Sequence, residues 1–277
     1  MTSIDEFEVP TQPTEFRSPD GLLLRGTVVT PVGSPSGVAV LVHGGGVTRD
    51  EGGFFTRLAV GLADAGIASL RFDLRGHGES EGRQEDLTLS GIVNDIRSAV
   101  VEARRVSGVD RVTLIGASFS GGICAFFASR YPDQLSRLVL FNPLIDYKKR
   151  FIDDKPYWTN DSIDESAGRE LAEYGFLPHS PTFKLGRPLL NEVFHLRPDR
   201  AIADVTTPTL FVHGTKDTFI SVDSSRAYVK HIRGESRLLE IDGAQHGFAV
   251  HDDPLYRNPQ TAEWQAFVIR SVAQWLE

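Results

Sequence analysis

The segment LIGASFSGG, residues 114–122, places two serines two positions apart in a glycine-rich turn that follows the apolar run RVTLIG. A serine hydroxyl attacks well only when a neighbouring imidazole removes its proton, and that imidazole needs a carboxylate on its other nitrogen to hold the right tautomer. Both partner types occur far downstream: Asp217 follows LFVHG, and His246 lies in DGAQHGF after LLEI. RVTLIG ends at Gly116, so Ser118 falls at the apex of the turn and Ser120 at the start of the next helix, where a serine caps or packs. Two other acids compete with Asp217. Asp146 follows the run LVLF, and Asp242 ends LLEI so close to His246 that it suits shaping of that loop. His43, His77 and His213 each precede a glycine in a turn and read as structural; His179 and His195 lie in an intervening segment, and His251 follows no strand. No two histidines pair with carboxylates at metal-ligand spacing. Gly44-Gly45-Gly46 lacks the Lys-Ser/Thr and the G-x-G-x-x-G spacing of phosphate loops, so neither metal nor cofactor is expected.

The elements that must position these residues follow from the alternation of short apolar runs with helical periodicity, the pattern of a parallel sheet covered by helices. VAVLVH, IASLRFD, RVTLIG, LSRLVLFN, TPTLFVHG and SRLLEIDG read as strands. RSPDGLLLRGTVVTP reads as a hairpin turned at Pro19-Asp20-Gly21. Between the strands, residues 54–65 form a helix stopped by Gly66. Residues 87–106 form a longer one with apolar positions 92, 93, 96, 99, 100 and 103 on one side. Residues 119–131 and 260–276 are further helices. Residues 144–203 break the rhythm: they hold no convincing buried strand but two helix candidates, one opened by a Ser162/Glu165 capping box and one over residues 188–196. The expected organisation is a core domain of residues 1–143 and 204–277, with residues 144–203 inserted as a helical cap. In doubly wound sheets ligands collect at the carboxyl ends of strands. That rule gathers His43 to Gly46, Asp73, Ser118, Asn142, Asp146, Asp217 and His246 on one edge.

Along nearly its whole length the chain resembles the α/β-hydrolases. The likeness rests on LVHGGG, RFDLRGHGES, LIGASFSGG, TPTLFVHGTKD and GAQHGF in that order. It implies an α/β-hydrolase fold, a mostly parallel doubly wound sheet with a helical cap, and a Ser-Asp-His chain order. It also implies roles: Ser118 as nucleophile, Asp217 as acid, His246 as base, and oxyanion donors from the N–H of Phe119 and that of Gly45 or its neighbour Gly46. The elbow departs from G-x-S-x-G, because Ser120 stands at the second glycine. Such G-x-S-x-S elbows resemble those of acyl-transferring and thioester-cleaving members, including the myristoyl-acyl-carrier thioesterases of bacterial luminescence. A Ser120 hydroxyl reaching the acyl pocket would bear on transfer versus hydrolysis.

With 40% apolar and 24% charged residues among 277, the chain has the make-up of an ordinary globular protein. A net charge of −8 with scattered Lys and Arg argues against nucleic acid and anionic membrane as partners. The single cysteine, Cys124, suits a buried helix position and permits no internal disulfide. The N-terminus MTSIDEFEVPTQP shows no secretory leader, and the expected location is cytoplasmic. The expected activity is hydrolysis of a carboxylic ester through an acyl-enzyme. The alternatives are an acyl thioesterase or acyltransferase served by an acyl-carrier protein, a carbon–carbon bond hydrolase, and, against the triad, a binding scaffold. A homodimer is compatible with all of these. Tyr147, Phe151, Tyr157, Trp158, Tyr174, Phe176, Phe183 and Phe194 in the cap either line an acyl or aryl site or pack the cap down.

Overall fold

A computed structural model describes residues 9–253 and 255–277; residues 1–8, which open the segment expected to carry no leader, lie outside it. The strands in chain order are β1 (Thr11–Arg17), β2 (Leu23–Val29), β3 (Gly37–Val42), β4 (Ile67–Phe72), β5 (Val112–Ala117), β6 (Leu135–Phe141), β7 (Trp158–Thr159), β8 (Ser162–Ile163), β9 (Phe176–Ser180), β10 (Phe183–Gly186), β11 (Thr209–Gly214) and β12 (Ser236–Ile241). The helices are α1 (Phe54–Asp64), α2 (Leu89–Ser107), α3 (Phe119–Arg130), α4 (Glu165–Tyr174), α5 (Arg187–Glu192), α6 (Pro198–Ala201), α7 (Val222–Tyr228) and α8 (Pro259–Leu276).

Eight strands form one sheet in the order β1-β2-β4-β3-β5-β6-β11-β12. β1 pairs antiparallel with β2, and β2 with β4; every later pairing is parallel. The central strands are buried on both faces, which explains why they read as unbroken apolar runs. Their side chains still alternate. Val38, Val40 and Val42 of β3 join the core under α2 and α3, whereas Ala39 and Leu41 join the core under α1 and α8. On α2 the buried stripe holds Ile92, Val93, Ile96, Ala99, Val100 and Ala103. Thr88 caps its start by accepting the Gly91 N–H, and Gly108 ends it in the left-handed region. Among the described residues no helix is long and apolar enough to cross a membrane.

The strand order turns back at β3, which lies between β4 and β5. The chain leaves β3 toward one edge and resumes from β5 toward the other, so the loops after β3 and β5 diverge and leave a crevice at the carboxyl edge. His43 to Gly46 follow β3 and Ser118 follows β5.

Residues 144–203 differ from the helical expectation. They carry α4, α5 and α6, but also a β7–β8 pair and a β9–β10 hairpin, both antiparallel and separate from the main sheet. The expected Ser162/Glu165 capping box does not form. Ser162 is extended and pairs with Thr159, so the helix starts later and Asp164 caps it by accepting the Ala167 N–H at 2.8 Å. The β9–β10 turn, Pro181-Thr182, brings Phe183 down onto the glycine loop after β3.

Candidate active site

Ser118 joins β5 to α3 with φ 49° and ψ −116°, a strained conformation for a residue with a side chain. Its backbone is held on both sides. The N–H donates to Phe141 O at 2.8 Å, and the carbonyl accepts from Leu144 N at 2.9 Å and Gly121 N at 3.0 Å. The helix behind it approaches the chain so closely that a Cβ on Gly121 would lie 2.3 Å from Pro143 Cβ, and one on Gly122 2.6 Å from Leu144 O. Position 120 tolerates a side chain because it has somewhere to go: the fully buried Ser120 hydroxyl donates to His43 O at 2.5 Å.

The loops after β5, β11 and β12 bring three side chains into line. His246 Nε2 lies 2.9 Å from Ser118 Oγ, and His246 Nδ1 lies 2.6 Å from Asp217 Oδ2. Asp217 is held in turn by the N–H groups of Phe219 (2.8 Å) and Ile220 (2.9 Å) on Oδ1. His213, fully buried on β11, faces Asp217 Oδ2 at 3.4 Å and hydrogen-bonds Ile220 O and Ser225 Oγ. Burial alone would push the Asp217 carboxyl up. The hydrogen bonds from His213 and His246 and the nearby imidazole outweigh it and hold the group well below the usual carboxylate range. A carboxylate fixed in this way orients the imidazole and leaves Nε2 free to accept the serine proton.

The glycine loop supplies the complementary polarity. Gly44 N–H donates to Glu51 Oε2 at 2.8 Å and Gly46 N–H to His77 Nε2 at 3.1 Å. Gly45 N–H has no acceptor among the described residues, and neither has Phe119 N–H at the start of α3. Of the two neighbours that the sequence left open, Gly45 is thus the one whose donor is free. The peptide between Gly44 and Gly45 is pinned from its other end, where Gly44 O accepts from His43 Nδ1 at 2.7 Å while His43 Nε2 accepts the Leu74 N–H at 3.0 Å. A peptide is planar and trans, so fixing its carbonyl aims its N–H the opposite way. Complete burial holds the His43 imidazole down to about 3, which keeps it neutral in this double role.

Above Ser118, residues 144–203 contribute three of their eight aromatic residues. Phe183 stacks edge-on to Phe119 with centroids 4.9 Å apart; Tyr147 and Phe151 lie 5.6 and 6.2 Å from the same ring. Tyr147 Oη donates to Phe119 O and accepts the Ile123 N–H, tying the segment after β6 to the first turn of α3. The Phe183 ring covers Gly45 so closely that a Cβ there would lie 2.9 Å from it. Trp158 and Phe194 pair with each other elsewhere, and Tyr174 is exposed.

The other candidates lie apart from this line. Asp146 caps its own turn through Lys149 N–H, and Asp242 accepts from Thr215 Oγ1. His251 pairs with Asp252 at the surface, and His195 is exposed. Asp73 gathers the N–H groups of Arg49 and Glu79, while Arg75 bridges Asp95 and Asp20, so both organise the RFDLRGHGES loop. Cys124 is buried on α3. Among the described residues no three His, Cys, Asp or Glu side chains are grouped to hold a metal ion. Glu51 was not apparent from sequence. It sits seven residues past Gly44 in an irregular loop, where no periodicity marks it.

Comparison with known proteins places the chain among the α/β hydrolases. A family model described as serine aminopeptidase, S33, matches residues 33–171. A monoacylglycerol lipase of Mycolicibacterium smegmatis is 29% identical over 94% of this chain and 95% of its own. A monoglyceride lipase homolog of monkeypox virus is 22% identical over 89% and 91%. Among solved structures, the esterase Est1E of Butyrivibrio proteoclasticus with bound ferulic acid superposes with a TM-score of 0.76 at 22% identity, covering 94% of this chain and 99% of its own.

Proposed function

The chain belongs to the S33 serine aminopeptidase-like family of α/β hydrolases, and on that footing we propose that it is a serine esterase acting on small carboxylic esters with an apolar acyl or aryl group. The observation that carries this is the Asp217–His246–Ser118 line ending beside two N–H groups that lack acceptors among the described residues. In the proposed cycle Ser118 Oγ attacks the ester carbonyl carbon as His246 Nε2 takes its proton. The carbonyl oxygen becomes an oxyanion that accepts from Gly45 and Phe119 N–H, each donor worth on the order of 10²–10³ in rate. Collapse expels the alcohol, which takes the proton back from His246, and leaves an acyl-Ser118 ester. Water then gives a proton to His246 and attacks that ester. The acid departs, and Ser118 recovers its proton.

Two further points support an ester. A relative similar over nearly the full length of both chains is named a monoacylglycerol lipase, and the packed rings of Phe119, Phe151 and Phe183 beside the Gly45 loop supply an apolar surface for an acyl group to lie against. In this reading residues 144–203 act as the cap that selects the acyl group. The Ser120 hydroxyl donates to His43 O, which favours a structural role for it over one in acyl transfer to a carrier thiol. A matched series of p-nitrophenyl esters and acyl-pantetheine thioesters of equal chain length tests the choice. The proposal expects kcat/KM to favour the esters after correction for intrinsic reactivity; a consistent preference for the thioesters would reverse the assignment.

A further inference from the structure

Three consecutive glycines have no side chains to hold them and the largest backbone entropy to lose. Yet a useful oxyanion donor must be aimed in advance of the reaction. The loop after β3 meets that demand through side chains borrowed from elsewhere. Glu51, itself in the left-handed region at φ 47°, turns its carboxylate back to take the Gly44 N–H. His77, from the loop after β4, takes the Gly46 N–H and is fixed in turn by Nδ1 against Arg75 O at 3.1 Å. The Gly45 N–H between them is left over. Glu51 also lies next to the nucleophile: the place a Gly44 Cβ would occupy is 3.4 Å from Glu51 Oε1 and 3.2 Å from Ser118 Cβ.

We propose that Glu51 and His77 are positioning residues that aim the Gly45 N–H at the oxyanion by clamping the N–H groups on either side of it. Each clamp requires an acceptor atom, not a charge. Burial holds the His77 imidazole below its ordinary value, which preserves the Nε2 lone pair. Burial likewise raises Glu51 to about 7, against the Gly44 hydrogen bond and the nearby His246, and a carboxyl oxygen accepts the Gly44 N–H in either protonation state. Both residues act through Gly45 and neither touches the reacting atoms.

The inference rests on Ser118 being the nucleophile. Its test compares wild type with Glu51→Ala, Glu51→Gln, His77→Ala and His77→Gln, all in the full chain. The readouts are kcat and KM for a short p-nitrophenyl ester and Ki for the trifluoromethyl ketone of the same chain length. The alanine variants should lose kcat by on the order of 10-fold or more with little change in KM, and the ketone Ki should rise in step with the loss in kcat/KM. The glutamine variants, which keep an oxygen where the acceptor was, should recover most of the loss. A rise in KM alone, an unchanged ketone Ki, or glutamine variants as poor as alanine would overturn the clamp. If Glu51→Ala does not fold by circular dichroism, the His77 pair decides the matter. Full turnover in the alanine variants beside a dead Ser118→Ala would refute the clamp alone, whereas turnover in Ser118→Ala would refute the esterase reading beneath it.

Discussion

Replacing Glu51 with Gln should change how stability depends on pH, and the size of the change follows from the surroundings of the carboxyl. Burial moves Glu51 from an ordinary 4.5 to about 7. A gap of that width corresponds to about 3 kcal/mol between the folded and unfolded protonation equilibria, an upper figure because Glu51 is only partly buried as a residue. The sign follows from proton counting. Between pH 4.5 and 7 the folded protein holds a proton at Glu51 that the unfolded chain has lost, so this group's contribution is fully present below pH 4.5 and is lost as pH rises through 7. Gln does not titrate. Every other group is common to both proteins, so the difference between them isolates position 51. Urea unfolding of wild type and Glu51→Gln across pH 4.5–8.5 should show Gln gaining on wild type by up to about 3 kcal/mol, most of it between pH 5 and 8. A difference that stays flat across that range would refute the reasoning, because it would mean that the Glu51 carboxylate is ionised and solvated throughout.

The remaining expectations concern the neighbouring residues. Asp217→Asn should lower kcat by on the order of 10⁴ through the wrong imidazole tautomer, the size seen when the equivalent change is made in chymotrypsin-type enzymes, while Asp146→Asn should leave kcat near wild type; steady-state kinetics that reverse this order would move the acid to the loop after β6. Phe183→Ala should shift the ester profile toward longer or bulkier acyl groups, at a cost of about 3 kcal/mol or more in stability for a buried aromatic. An unchanged profile in a folded Phe183→Ala variant would mean that this ring does not contact the acyl group. Ser120→Ala should cost about 1 kcal/mol by leaving His43 O without its donor, measured by urea midpoint, with most of the turnover kept.

Much of this architecture was legible in the sequence because parallel strands buried on both faces must be apolar throughout. β3, β5 and β11 therefore stand out as unbroken runs, and the residues just past their ends mark the carboxyl edge. Ser118, Asp217 and His246 could be named from that rule together with the family likeness. Residues 144–203 were less legible. β9 contains Pro178 and pairs with β10 alone, so its short strands carry no buried, two-faced pattern, and the choice between Ser162 and Asp164 as the helix cap turned on a two-residue pairing with Thr159. The loop hydrogen bonds were the least legible. His43 and His77 read as structural from sequence, but that one pins Gly44 O and the other takes Gly46 N–H depends on how β3 and β4 lie side by side. Glu51 gave no signal at all, since one acidic residue in an irregular loop resembles any other.

The central claim is that Ser118, and not Ser120, is the nucleophile that His246 activates. Labelling with a fluorophosphonate, followed by peptide mass spectrometry, tests it most directly. Wild type and Ser120→Ala should carry one label on Ser118, His246→Ala should label far more slowly, and folded Ser118→Ala should carry none. A label on Ser120, or undiminished labelling of folded Ser118→Ala, would contradict the account.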